Sequence, residues 1–273
     1  MEHNDEDFLK QMRLGKSFLH GLDIHERPIC VVRTRLHHSS DQQPEAIERF
    51  TVWEMETARL MLQGKVDTAC VLFDMTGFSL SNMDYPPVKF LIRAFEAHYP
   101  ESLGVCLVHK APWIFQGIWN IIKGWLDPVV ASKIHFTRSV ADLEKFIPRS
   151  QIIKELEGEE QWEYKYVEAV PGENDIMLDT DARDKIEEER GGMVERFEEA
   201  TRRWIAGENM APERDAIASE LNENYWRLDP YIRARTFYDR LGEIGERGGF
   251  IYQKGEKAKV EESTPAGEVK VSE

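Results

Sequence analysis

The 273-residue sequence predicts an α/β fold built on a mainly parallel sheet, with a helical extension towards its C-terminus. Three observations carry this reading. The short runs ICVV, TACVLF and LGVCLV are apolar at nearly every position, which marks strands buried on both faces. They alternate with helical patterns, the order that produces parallel βαβ units. After about Gly158 the strand runs cease, and long charged helical patterns follow.

In chain order, residues 5–19 read as a helix with Phe8, Met12 and Phe18 among charges. The turn GLDIHERP leads into a strand over 29–36. Pro44 opens a helix to about Leu62, with Ile47, Phe50, Met55, Ala58 and Leu62 roughly on one face. A strand at 68–75 stops at Gly77, and a helix over 86–98 runs from Pro86-Pro87 to Tyr99-Pro100. A third strand at 103–109, a tryptophan-rich helix at 112–126, a short strand at 133–136 and a small helix around Val140–Phe146 complete this part. WEYKYVEAVPGEND reads as an extended connector, followed by helices over 180–206, 212–225 and 229–241. The expected organisation is an N-terminal helical remnant (1–20), a principal domain (21–158), a C-terminal helical extension (159–250) and a tail (251–273). From about Lys254 that tail is charged and poor in apolar residues, the composition of disorder.

The tryptophan segment KAPWIFQGIWNIIKGWLDPVVASK is the most informative stretch. Gln116, Asn120, Lys123 and Asp127 share one narrow helical stripe, and almost everything else on the circumference is apolar. That arc is too wide for a helix lying flat on a water-soluble core. The segment is also too short, and too broken by Gly117, Lys123 and Gly124, to span a bilayer. Such a helix needs lipid or an apolar ligand against part of its surface.

Charge and cysteines narrow the classes. Residues 1–150 carry 17 Lys+Arg against 19 Asp+Glu, whereas residues 151–273 carry 18 against 31. The overall charge of −15 repels nucleic acid, which is not expected as a partner. Between Lys110 and Arg138, however, four basic residues face only Asp127, a local surplus suited to an anionic membrane surface. Cys30, Cys70 and Cys106 each lie in an apolar run, as reduced core thiols of an intracellular protein would. The acidic start MEHNDEDFLK is unlike a signal peptide. No CxxC is present, and no metal site is expected.

From about Gly21 to Gly158 the motifs GLDIHERPI, LFDMTGFSLSN, HYPESLG, KAPWIF, WLDP and SKIHF stand in the order and spacing of the CRAL-TRIO lipid-binding family. The chain resembles that family, and in particular its fungal phosphatidylinositol transfer members. The resemblance implies a sheet flooring a hydrophobic lipid pocket, helices on the other side, and the tryptophan helix as a gate. Trp113, Phe115, Ile118, Trp119, Ile122 and Trp125 would then be gate or membrane-contact residues. Glu101 and Lys133 fall where phosphatidylinositol-binding relatives contact the inositol ring and its phosphate, with Asp23 nearby. A carboxylate suits inositol hydroxyls and an ammonium suits a phosphodiester. Two hydroxyl residues that hold a phosphatidylcholine headgroup in the family fall at Ala69 and Val71, and a threonine of the inositol-phosphate site falls at Val130. These apolar pocket-floor residues favour phosphatidylinositol over phosphatidylcholine, because a buried headgroup would lose partners.

The implied ligand is one phospholipid, with no other cofactor. The implied setting is the cytoplasm with transient, peripheral association to membranes such as the endoplasmic reticulum. Relatives carry a small helical lobe ahead of this domain. Only about 20 residues precede the GLDIHERP turn, so a truncated chain and an absent lobe both fit.

Other classes are weaker. GFSLS resembles a nucleophile elbow with Ser79 and either His109 or His135 as base, yet it lacks the second glycine of G-x-S-x-G. An enzyme is therefore not expected. His37 and His38 are adjacent and would point to opposite faces of a strand. A lipid-sensing scaffold, or a carrier of a sterol precursor or terpenoid without transfer activity, remains the alternative.

Overall fold

The structure, a computed structural model, describes residues 5–251 except Gln63. Helix α1 (Asp5–Leu14) stops at Gly15, whose φ of 61° is the left-handed conformation that closes helices. The helix expected to continue to residue 19 instead gives way to strand β1 (Ser17–Leu22). The cause is tertiary pairing. SFLHGL runs antiparallel to β2 (Pro28–Arg33), with Ser17 opposite Val32 and Leu19 opposite Cys30. Its alternation buries Phe18 and Leu19 in two different cores.

The strand expected over 29–36 ends at Arg33, and Thr34–Leu36 turn as a 3₁₀ helix fastened by Thr34 Oγ1 donating to the Asp74 carbonyl at 2.7 Å. Helix α2 (Pro44–Leu60), β3 (Ala69–Asp74), α3 (Tyr85–Ala97) and β4 (Leu103–His109) follow within a residue or two of expectation. The tryptophan helix is shorter than expected. Pro112 and Trp113 form a turn, and α4 runs from Phe115 to Lys123. Asp127-Pro128 opens a further helix, α5 (Pro128–Ser132), with the Asp127 side chain accepting from the Val129 N–H. Strand β5 (Ile134–Thr137) and the short α6 (Val140–Leu143) follow.

The sheet order is β1-β2-β3-β4-β5, with β2 to β5 parallel. Each parallel neighbour is also the next strand in sequence, so right-handed crossovers place α2, α3, α4 and α5 over one face. Register rows make the two faces explicit. Cys30, Val71, Cys106 and Ile134 align across the sheet and face those helices. One residue further along each strand, Val31, Leu72 and Leu107 align on the reverse face. There they pack with Leu143, Ile147, Ile152 and Leu156. All three cysteines are free thiols, and burial pushes that of Cys106 up to about 12.

The C-terminal segment contributes to the core. Residues 161–170 form a connector without regular structure, 171–174 turn, and α7 (Thr180–Ile205) and α8 (Ala211–Ile232) make a hairpin. Buried Asn224 fastens it by donating to the Ile186 carbonyl at 3.1 Å. The two helices expected over 212–225 and 229–241 are thus one long helix and the short α9 (Phe237–Arg240). Pro230 lies in the last full turn of α8, where a missing N–H costs only one bond. Asp229 clamps that end by accepting from Arg233 and Arg235. Phe237 and Tyr238 are fully buried, and the Tyr238 hydroxyl accepts from the Leu19 N–H of β1 at 2.6 Å. The expected tail, apart from Ile251, lies outside the described residues.

Candidate functional site: a lipid-sized cavity

Between the sheet and α2 to α5 lies a cavity of about 680 Å³, within the range of ligand sites. Its floor is the register row Cys30, Val71, Cys106 and Ile134. The α2 stripe expected from sequence supplies one wall through Ile47, Met55 and Ala58, with Leu62 just past the helix end. Val88, Leu91 and Phe95 of α3 supply another. Ala69 and Val71 lie on the sheet side of the cavity, whereas Val130 lines it from α5.

Helix α4 covers part of this space. Phe115 and Ile118 are buried, and Phe115, Trp119 and Ile122 reach the cavity. Gln116, Asn120 and Lys123 form the exposed outer stripe. The three tryptophans separate into different roles. Trp113 is 89% exposed, Trp119 packs edge-on against Phe136, and Trp125 folds back onto Tyr85 with Lys89 over its ring.

Glu101 and Lys133 come together at the N-terminal ends of β4 and β5, and both line the cavity. Lys133 Nζ lies 3.6 Å from Glu101 Oε2, and the glutamate side chain is 88% exposed. Glu101 holds a φ of 57°, a left-handed conformation that glycine would take more freely. Asp23 is placed differently. Its carboxylate accepts from the His25 and Arg27 N–H groups and from Arg27 Nε, and it does not line the cavity. This is the turn-forming role of an aspartate.

Comparison with known sequences decides the family, since the CRAL/TRIO domain model matches residues 12–158. The chain belongs to the CRAL-TRIO domain family. It is 50% identical over 244 residues to CRAL-TRIO domain-containing protein C3H8.02 of Schizosaccharomyces pombe, covering 88% of this chain and 55% of that protein. It is 48% identical over 245 residues to phosphatidylinositol transfer protein CSR1 of Eremothecium gossypii, covering 86% of this chain and 56% of that protein. The chain therefore spans about half the length of these curated relatives. The crystal structure of Sfh5 superposes with a TM-score of 0.45 and 19% identity over 53% of each chain.

The residues of the weaker classes take structural roles in this CRAL-TRIO chain. Ser79 shares a capping box with Asn82 and contacts Ser81. His109 Nδ1 lies 2.9 Å from Thr137 Oγ1, and His135 packs against Phe146 at a tilt of 36°. His37 Nε2 meets Asp84 at 3.1 Å, while His38 Nδ1 approaches the Ser81 carbonyl. Among the described residues no helix is long and apolar enough to cross a membrane, and no cluster of His, Cys, Asp or Glu could hold a metal ion.

Sequence reasoning missed a polar lining at the other end of the CRAL-TRIO cavity. Lys16, Ser17, His37, Glu54, Asn82 and Asp84 all line it there. Glu54 had a legible signal, because a carboxylate seven residues after Ile47 and four before Ala58 falls on the apolar stripe. Ser17 donates to Glu54 Oε1 at 2.7 Å, and burial raises the Glu54 carboxyl to about 7. Lys16 carried no such signal, because it was read inside a helix that ends before it.

Proposed function

We propose that this chain binds one phospholipid, phosphatidylinositol above all, and transfers or presents it between membranes. The observation that carries this reading is the convergence of Glu101 and Lys133 at one end of an apolar cavity. The cavity takes acyl chains without selecting among them, while the polar pair suits inositol hydroxyls and a phosphodiester. Apolar side chains at Ala69, Val71 and Val130 disfavour a deeply buried choline phosphate.

Helix α4 acts as the gate, and exposed Trp113 enters the headgroup region of a membrane when the helix opens. The basic surplus between Lys110 and Arg138 favours an anionic surface. The protein works in the cytoplasm, with peripheral contact to membranes such as the endoplasmic reticulum. Residues 21–158 form the lipid-binding unit and residues 159–250 an extension that braces it. The name of the CSR1 relative supports the same ligand class.

Native mass spectrometry of the purified chain tests the ligand, and movement of labelled phosphatidylinositol between vesicles tests transfer. Bound phosphatidylinositol with measurable transfer is expected. Abundant co-purified phosphatidylcholine overturns the headgroup assignment, and binding without transfer leaves a lipid-sensing scaffold.

A further inference from the structure

The cavity has a second polar end, centred on a lysine that has no ionic partner among the described residues. Lys16 is 5% exposed and lines the cavity beside the C-terminal end of β2. Its Nζ donates to Gln42 Oε1 at 3.0 Å and lies 3.3 Å from His37 Nδ1. On the far side of that imidazole, Nε2 meets Asp84 Oδ2 at 3.1 Å. This arrangement selects the neutral tautomer of His37, which donates to Asp84 and accepts from Lys16. Burial and the neighbouring ammonium both hold His37 below its usual range.

Two hydrogen bonds leave the third ammonium proton without an acceptor among the described residues, and no carboxylate there forms an ion pair with Nζ. Burial lowers the Lys16 ammonium to about 8, and Asp41 and Asp84 act on it only at longer range, against repulsion from Lys10. A buried ammonium with only neutral hydrogen-bond partners is costly, and a charge that persists in such a place calls for a counter-ion.

We infer that Lys16 is a second ligand-binding residue, which receives the oxyanion of an amphiphile whose hydrocarbon chain fills the cavity. Carboxylates and phosphate monoesters share the needed chemistry, since each offers a charged oxygen acceptor. Lys16 and Lys133 stand four residues apart along the strand direction and four strands apart across the sheet, roughly 23 Å between their backbones. One cavity thus offers two polar poles, and an anion at Lys16 points its chain towards the Glu101–Lys133 end. Asp84 is shielded from that oxyanion by the His37 imidazole between it and Lys16.

The test compares oleate, lysophosphatidate and oleyl alcohol as probes on the delipidated full chain. At least one of the two anions is expected to bind about tenfold tighter than the alcohol, the discrimination of one charged hydrogen bond. Oleate preference identifies a fatty-acid carboxylate, and lysophosphatidate preference a phosphate monoester. Lys16→Met and Lys16→Gln should remove the preference, whereas Lys133→Ala should retain it. Equal binding of all three probes to the wild-type chain overturns the inference without recourse to a variant. So does a preference lost in Lys133→Ala, or one surviving in a folded Lys16→Met chain. The inference rests on the lipid-cavity reading but not on its headgroup assignment. If oleate binds through Lys16 while phosphatidylinositol does not bind, the headgroup assignment falls and this site stands.

Discussion

Lys133 and Glu101 face each other at 3.6 Å across the N-terminal ends of β5 and β4, with the lysine side chain 25% exposed and the glutamate 88% exposed. An ion pair this open adds little to stability. Under the proposed function the pair serves a ligand more than the fold. Lys133→Ala is expected to abolish phosphatidylinositol transfer between vesicles while changing unfolding free energy by less than about 0.5 kcal/mol. Glu101→Gly should relieve the left-handed backbone yet still weaken transfer. Loss of transfer in Lys133→Ala together with loss of the urea transition would show a structural role instead.

The proposed headgroup selectivity is testable on the sheet. Val71 is buried in the register row with Cys30 and Cys106, and Ala69 sits two residues before it. The double variant Ala69→Ser, Val71→Thr should lose about 1–3 kcal/mol when unliganded, because a buried hydroxyl lacks a partner. It should also gain phosphatidylcholine, read by mass spectrometry of the co-purified lipid.

The tryptophans of the proposed gate allow membrane contact and gate closure to be tested separately. Trp113→Ala should reduce sedimentation with anionic vesicles and leave thermal stability unchanged, since the ring is 89% exposed. Trp125→Ala removes the packing on Tyr85 and Lys89, so amide exchange over 115–126 should accelerate. Vesicle binding should be largely retained in that variant.

Glu54 gives a pH signature. Burial raises its carboxyl from 4.5 to about 7, so the native chain holds a proton that the unfolded chain releases. Its contribution is complete below the unfolded value of 4.5 and is lost as pH rises to about 7. Glu54→Gln should remove this loss, making the variant gain on wild type by about 3 kcal/mol between pH 4.5 and 8, measured by urea unfolding at each pH. A constant difference across that range would refute it.

Tyr238 tests whether the C-terminal segment belongs to the core. Tyr238→Phe leaves the buried Leu19 N–H without its acceptor and should cost about 1–3 kcal/mol in urea unfolding. A single cooperative transition, shifted as a whole, is expected.

Much of this was legible because local pattern and tertiary role coincide. Runs apolar at nearly every position, such as Leu103–Val108, are satisfied by burial on both faces, and that strand lies where it was expected. The α2 stripe was readable for the same reason, although it meets a cavity rather than a filled core. Where the pattern was ambiguous, distant partners decided. Lys16–Phe18 continue a helical periodicity, yet β2 offers an open edge that SFLHGL pairs with. A break was expected between the helices over 212–225 and 229–241, yet α8 runs through it to Ile232, with Pro230 in its last turn and Asp229 paired to Arg233 and Arg235. Asp23 shared a motif with a headgroup residue, but backbone donors two and four residues on occupy its carboxylate.

By itself, the sequence determined the class of fold, the chain order of strands β2 to β5, and a tryptophan segment unsuited to both water and a bilayer. These follow from hydrophobic periodicity, which acts over a few residues. Only the tertiary structure decided that the cysteine-bearing strands align Cys30, Val71, Cys106 and Ile134 as one floor. It alone brought Glu101 to Lys133, Tyr238 to Leu19, and a buried Lys16 to the far end of the same cavity. Those relationships join residues tens to hundreds of positions apart, and no local pattern encodes which distant group will neutralise a charge or fill a donor.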